Sequence, residues 1–158
     1  MTFNPSVAPG SPFVLETATW RDLNALRQVE KACFGRDSWP LFDLLGVLTF
    51  PNTVHIKATC DGQMIGFVGG DIRRNEDVGW VATIGVLPAY RGRGIGTALL
   101  EACEQALHTR WVRLCVRVSN ETAIRLYRGA GYAQTGRWPA YYNDGEDAVV
   151  MEKALRGV

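Results

Sequence analysis

The stretch from Ile84 to Leu100 limits the possible folds more than any other part of the sequence. It begins with a strand pattern, continues through Gly92, Gly94 and Gly96, and ends with the apolar spacing of a helix. A glycine-rich turn from a strand into a helix points several backbone N–H groups at one place, at the positive end of the helix dipole. Glycines also let phosphate oxygens approach the backbone without a Cβ in the way. The stretch therefore predicts a pyrophosphate site.

Two well-known phosphate loops do not fit this stretch. The dinucleotide fingerprint needs G-x-G-x-x-G within a parallel βαβ unit, whereas Gly92, Gly94 and Gly96 give G-x-G-x-G after strands that are joined by hairpins. The Walker loop needs a Lys after its last glycine, and none follows Gly96. The turn must belong to another kind of cofactor site, or be an ordinary helix start.

The flanking sequence predicts one α/β domain with a mostly antiparallel mixed sheet. Asp61-Gly62 between two strand patterns is typical of a tight hairpin. Residues 1–12, with their Pro, Ser and Gly, are expected to form a flexible arm, and residues 13–158 the domain. We expect about six to seven strands flanked by about four helices. The predicted strands are residues 13–17, 53–60, 64–72, 78–87, 111–118, 133–138 and 148–153, and the predicted helices are residues 19–34, 40–48, 94–108 and 120–130.

Charge and composition argue against several classes of protein. The net charge of +1 gives no electrostatic basis for binding nucleic acid or a membrane surface. No apolar run reaches the roughly 18 residues of a membrane span, and the first residues lack the pattern of a secretory signal. Four separated cysteines and two histidines give no zinc-ligand spacing. We expect a cytoplasmic protein with reduced thiols and no metal.

The turn also resembles a family motif. Arg91-x-x-Gly94-x-Gly96 is similar to the [QR]-x-x-G-x-[GA] motif with which GNAT acetyltransferases bind the pyrophosphate of acyl-CoA. The segments from Val116 to Tyr127, from Gly129 to Tyr132 and from Tyr141 to Met151 resemble the RimI-like group, which acetylates the N-termini of ribosomal proteins. The resemblance covers nearly all of the chain after the arm.

The resemblance implies acetyl-CoA as cosubstrate and a role for each matching residue. Backbone groups of β-strand residues would bind the pantetheine arm, the glycine turn would hold the pyrophosphate, and Tyr127 would be the general acid beside the thioester sulfur. From the residues alone, Asn120 could equally be a helix cap, and Tyr127 could be part of the core. The implied cofactor residues are Ile84, Gly85, Val86, Arg91, Gly92, Arg93, Gly94, Ile95, Gly96 and Asn120, and the implied acceptor residues are Trp39, Tyr141 and Tyr142.

One position departs from the RimI-like pattern. The group carries its general base, a Glu, two residues before the Arg of the V-R-x-S-N segment, and this chain has Cys115 there. Strand alternation places Arg113 and Arg117 on the same face, so Cys115 could be a thiolate base. We expect it instead to fill space as a small apolar group, with water and backbone groups taking the amine proton.

The favoured function is acetylation of the N-terminal α-amine of a protein or peptide. An α-amine of pKa about 8 costs only about 1 kcal/mol to deprotonate at pH 7, against roughly 4.6 kcal/mol for a lysine of pKa about 10.4, so a site with a weak base suits the α-amine. The alternatives are a small-molecule amine acetyltransferase and a non-catalytic acyl-CoA-binding sensor. The sequence leaves the acceptor and the oligomeric state open.

Overall fold

Seven strands form a single sheet in the order β1-β2-β3-β4-β5-β7-β6. The computed structural model describes residues 12–155, so the predicted arm lies outside the described residues except for Pro12. Every neighbouring pair is antiparallel except β4 and β5, which are parallel. The strands are β1 (Val14–Thr17), β2 (Thr53–Cys60), β3 (Gln63–Arg73), β4 (Val78–Val86), β5 (Trp111–Arg117), β6 (Ala133–Trp138) and β7 (Ala148–Ala154), and the helices are α1 (Leu23–Phe34), α2 (Leu41–Thr49), α3 (Ile95–Leu107) and α4 (Glu121–Gly129).

The predicted fold class is confirmed, and most predicted elements lie within two residues of the observed bounds. The start of the first helix is an exception, because α1 begins at Leu23 and not at Thr19. Residues Trp20–Asp22 form a 3-10 turn, in which the Thr19 N–H donates to the Asp22 carboxylate at 2.8 Å. Asp22 also pairs with Lys57 of β2 at 2.8 Å. The capping pattern was thus real, but it closes a tighter turn before the helix.

Helices cover both faces of the sheet. Leu26 of α1 and Leu44 of α2 pack on one face against Phe67 of β3. On the other face Leu99 of α3 lies in the larger core, together with Leu114 of β5. Because β3 is covered on both sides, it reads as a continuous apolar run and not as an alternating one.

Glycines let α3 approach the sheet closely. A Cβ at Gly79 of β4 would come within 2.8 Å of Leu107 Cδ1 and 2.9 Å of Thr109 Oγ1. No real Cβ tolerates such distances without movement of its neighbours. Since α3 begins at the glycine turn, the packing position of α3 on the sheet also fixes where that turn lies.

The β4–β5 pair separates half-way along its length. The strands pair from Val78–Trp111 to Val81–Leu114, and no pairing continues beyond, although β4 runs on to Val86 and β5 to Arg117. The register between β3 and β4 shifts at the same level, between Gly69 and Gly70, as in a β-bulge. A wedge-shaped gap therefore opens in the middle of the sheet.

We predict that Gly79→Ala destabilises the domain. The added methyl has to displace Leu107 and Thr109, which costs about 1–3 kcal/mol of the free energy of unfolding. Gly136→Ala is the matched control, because its Cβ would meet only Val150, at 3.7 Å. Urea unfolding of both variants measures the difference, and equal midpoints would show that the close approach of α3 is unimportant.

Candidate active site

The glycine turn has the geometry that its sequence predicts. Gly92 and Gly94 have φ values of +76° and +79°, which L side chains rarely adopt. Gly94 precedes the first residue of α3, and the first helical hydrogen bond runs from the Ala98 N–H to the Gly94 carbonyl at 3.0 Å. The N–H groups of Ile95, Gly96 and Thr97 therefore have no partner within the helix, and they are available to an anion at its positive end.

Two arginines border this turn. Arg91 Nε donates to the Val86 carbonyl at 3.0 Å, and Arg93 donates to the Ala89 carbonyl at 3.3 Å. Both side chains are exposed and carry their charge next to the free N–H groups. The turn thus combines backbone donors with positive charge, as a pyrophosphate requires.

The outer part of β4 offers an open hydrogen-bonding edge. The Leu87 N–H donates to the Ile65 carbonyl at 2.8 Å, which fixes the alternation of the antiparallel pair. By that alternation the backbone groups of Gly85 point to β3, and those of Ile84 and Val86 point into the gap. The Val86 carbonyl already accepts bonds from Arg91 and from Cys33 Sγ. The remaining edge groups can pair with an extended amide chain such as pantetheine.

A cavity of about 200 Å³ occupies the gap between β4 and β5. Predicted residues of all three kinds line it: the catalytic Tyr127, the acceptor residues Trp39 and Tyr142, and the cofactor residues Ile84 and Asn120. Tyr141 does not line this cavity; it is 54% exposed, and its ring lies against those of Trp138 and Tyr142. Sequence reasoning missed two polar lining residues, Asp37 and Thr83.

Asn120 and Tyr127 occupy the α4 side of the cavity. Asn120 caps α4, since its Oδ1 accepts from the Ala123 N–H at 3.2 Å. Capping uses the oxygen and leaves the side-chain NH₂ group for a ligand. Tyr127 is only 6% exposed, and burial raises its pKa to about 12. Its hydroxyl is therefore protonated at neutral pH and can donate a proton into the cavity.

Comparison with known proteins identifies the family. Residues 20–132 match the model of the acetyltransferase (GNAT) family. The chain belongs to this family. RimI of Mycobacterium tuberculosis, an N-alpha-acetyltransferase, is 33% identical over 92% of this chain and 95% of its own length. An uncharacterised N-acetyltransferase of Methanocaldococcus jannaschii is 35% identical, with 84% and 86% covered.

Solved structures show the same fold. The ribosomal-protein-S18-alanine N-acetyltransferase of Escherichia coli superimposes with a TM-score of 0.83 at 26% identity, over 92% of this chain and 96% of that one. This GNAT protein is accordingly an acyltransferase that uses acetyl-CoA to acetylate amines, of the RimI-like type. Among residues 12–155, no helix has the length and apolarity to span a membrane, and no group of side chains has the arrangement of a metal site.

The structure of this acetyltransferase argues against a Cys115 thiolate. Arg113 is paired with Glu152, and Arg117 is surrounded by carboxylates, so neither charge is left to stabilise an anionic sulfur. Burial raises the pKa of Cys115 to about 11. The thiol is protonated at neutral pH, which fits the expected role of a small space-filling group.

Arg117 connects the residues at the mouth of the cavity between β4 and β5. Its guanidinium contacts Asp37 at 2.6 Å, Asp144 at 2.9 Å and Glu146 at 2.6 Å, and it lies 4.0 Å from the ring centre of Tyr142. Asp37 comes from the connection between α1 and α2, whereas Asp144 and Glu146 come from the connection between β6 and β7. Arg117 therefore connects two loops that are distant in the sequence and meet beside the cavity.

This cluster leaves the cavity mouth negative. Bonds from the Glu146 N–H and from Arg117 lower the pKa of Asp144, and bonds from Ser119 and Arg117 lower the pKa of Glu146. One guanidinium faces three carboxylates, so two negative charges are uncompensated within the cluster. A cationic amine is attracted to such a mouth. The Asp144-Gly145-Glu146-Asp147 run was a visible signal, but its partner Arg117 could not be assigned without the fold.

We predict that Gly94→Val weakens acetyl-CoA binding about tenfold or more. The left-handed φ of Gly94 resists a side chain, and the resulting shift withdraws N–H groups whose charge-assisted bonds are worth about 1.5–3 kcal/mol each. Gly62→Val is the control, because Gly62 has φ +76° and an equally open Cβ position in the β2–β3 turn, away from the site. Calorimetric titration of both variants with acetyl-CoA measures the effect; equal affinity for the two would remove the phosphate site from this turn.

Proposed function

We propose that this chain acetylates the N-terminal α-amine of a protein or peptide. The observation that carries the proposal is the cavity between β4 and β5, with Tyr127 on one side and the negative mouth formed around Arg117 on the other. An extended acceptor can reach this cavity between the two loops that Arg117 joins. Relatives that bear the name N-alpha-acetyltransferase, such as RimI of Mycobacterium tuberculosis, support the same class of acceptor.

The proposed cofactor path follows β4 towards the helix start. Edge groups of Ile84 and Val86 bind the pantetheine amides, and the N–H groups of the turn from Arg91 to Gly96 bind the pyrophosphate. Gly96 permits this approach, because its Cβ position borders only Val86 and Leu126, at 3.9 and 4.0 Å. The side-chain NH₂ group of Asn120 contributes from the α4 side. This path brings the thioester into the gap beside Tyr127.

The acetyl group then moves by direct attack. The neutral amine adds to the thioester carbonyl carbon, the carbon–sulfur bond breaks, and Tyr127 gives its proton to the departing sulfur. Trp39 and Tyr142 line the cavity on the acceptor side, and Tyr141 flanks its mouth. Tyr127 is protonated at neutral pH, so it holds the proton that this role requires.

We expect turnover with peptides that carry a free α-amine. Three acceptors compared at equal concentration test this: a peptide with a free N-terminus, the same peptide blocked at its N-terminus but carrying one lysine, and small amines such as polyamines. Release of free CoA thiol measures turnover. Turnover with the free peptide alone supports the proposal. Activity confined to small amines would replace it, and binding of acetyl-CoA without any turnover would indicate a sensor.

We expect Tyr127→Phe to lower kcat by about 10² to 10⁴ while the affinity for acetyl-CoA stays unchanged, because a general acid acts only in the chemical step. Tyr132→Phe is the matched control: its ring packs edge-on against Tyr127, but its hydroxyl donates to Glu104 in the core. The control is expected to lose stability and retain kcat. A Tyr127→Phe enzyme with the kcat of the parent would rule out the acid role.

A further inference from the structure

Glu30 is a buried carboxylate that the proposed chemistry does not yet use. It lies on the inner face of α1 and is only 2% exposed. No Lys or Arg forms an ion pair with it within residues 12–155. A buried carboxylate without a cation is costly, so its presence calls for partners that satisfy its oxygens.

Both hydrogen-bond partners of Glu30 line the cavity between β4 and β5. The Thr83 hydroxyl donates to Glu30 Oε1 at 2.7 Å, and the Trp39 N–H donates to Oε2 at 3.3 Å. Thr83 belongs to the part of β4 that has separated from β5, and Trp39 belongs to the connection between α1 and α2. Glu30 is thus placed directly behind the cavity wall, one hydrogen bond away from its interior.

Thr83 projects from β4 towards the face of the sheet that α1 and α2 cover. Its hydroxyl faces α1, which covers the same sheet face as Trp39 and α2. Cys115, at the position where the RimI-like group carries its Glu, lies across the gap on β5 and lines the same cavity. In this chain Cys115 replaces the Glu of β5, and the carboxylate of Glu30 lies instead behind β4.

The hydrogen-bond direction suits the removal of a proton from an amine. Because the Thr83 proton points to Glu30, the lone pairs of Thr83 Oγ1 are free to accept a proton from an ammonium group in the cavity. Resting on the function proposed above, we propose that Thr83 relays one proton from the acceptor ammonium to Glu30, so that the pair acts as the general base. Thr83 touches the amine, and Glu30 acts through Thr83.

The proton balance of the relay is simple. One ammonium N–H bond breaks and its proton forms a bond to Thr83 Oγ1, while the Thr83 hydroxyl proton passes to Glu30 Oε1. The neutral amine attacks the thioester, and the proton from Glu30 returns to solvent by the reverse path after the product leaves. The second amine proton replaces the one that Tyr127 gives to sulfur. Each turnover therefore releases one proton, with no further reactant.

The surroundings of Glu30 adjust its basicity. Burial raises its pKa, and the bonds from Thr83 and Trp39 partly oppose that rise, so it moves towards the pKa of about 8 of an α-amine. The titratable neighbour of Glu30 on α1 is Cys33. Burial also raises the pKa of the Cys33 thiol, and Arg91 lies beside it. The side chains that α2 and β3 pack against α1 are apolar, among them Leu44, Val47 and Phe67.

The test compares kcat/KM at pH 6.5 and pH 9 for a free-α-amine peptide. Thr83→Val removes the relay and keeps the shape, Thr83→Ser restores a hydroxyl, and Glu30→Gln removes the proton acceptor. Glu104→Gln is the control. Glu104 is also a buried glutamate that accepts a hydrogen bond from a hydroxyl, but this hydroxyl belongs to Tyr132 and lies away from the cavity. Thermal unfolding of each variant confirms that the enzyme compared is folded.

We expect Thr83→Val and Glu30→Gln to lose roughly 30-fold or more at pH 6.5, where only a few per cent of an α-amine of pKa about 8 is neutral. At pH 9 the amine is already neutral, so both are expected within about threefold of the parent. Thr83→Ser should follow the parent, and Glu104→Gln should show no pH-dependent loss. A loss of equal size at both pH values, or a parent-like Thr83→Val, would overturn the relay. Failure of the parent to acetylate any peptide would instead overturn the proposed function.

Discussion

The separation of β4 from β5 is the constraint on which the rest of the structure depends. Paired strands satisfy their own backbone groups, so a sheet that stayed closed beyond Val81 and Leu114 would offer neither a cavity nor a free edge. The register shift between Gly69 and Gly70 occurs at this level and allows β4 to bend away while β3 still follows it to Val86. The N–H and carbonyl groups that leave the ladder are then available to an extended ligand. One local break in pairing thus produces both the free strand edge and the cavity.

Charge is distributed unevenly around this break, and the distribution matches the two reactants. On the α3 side, Arg91, Arg93 and the free N–H groups of the helix start favour a pyrophosphate. On the acceptor side, Asp37, Asp144 and Glu146 outnumber Arg117 and favour a cation. The two clusters thus carry opposite charge at different places beside the gap. A surface with a formal net charge of only +1 can still discriminate in this way, because the discrimination lies in local clusters and not in the total.

The sequence was sufficient for the fold and for the residues whose role depends on local conformation. The geometry of the glycine turn was predictable because φ > 0 at Gly92 and Gly94, and the helix start after them, are local properties. The Asp61-Gly62 hairpin was predictable for the same reason. Glu30 and Thr83 could not be paired from the sequence, because 53 residues separate them and α1 alone reads as an ordinary amphipathic helix. The Arg117 cluster joins residues up to 80 positions apart, so its members looked like unrelated surface charges. Long-range polar pairs are decided by packing, which periodicity does not encode.

Burial sets the protonation state of the groups around the cavity, and this explains why the departure at Cys115 is compatible with catalysis. The same desolvation that raises the pKa of Tyr127 to about 12 raises that of Cys115 to about 11, so both groups hold their protons at neutral pH. A protonated tyrosine still holds a proton to give, whereas a protonated thiol cannot accept one. Neither group in that state can take a proton from an ammonium group. Glu30 differs from both, because a carboxyl whose pKa rises from its low ordinary value moves towards the pKa of the amine and not away from it. Of the buried titratable groups beside this cavity, the carboxylate is the one that burial improves as a base.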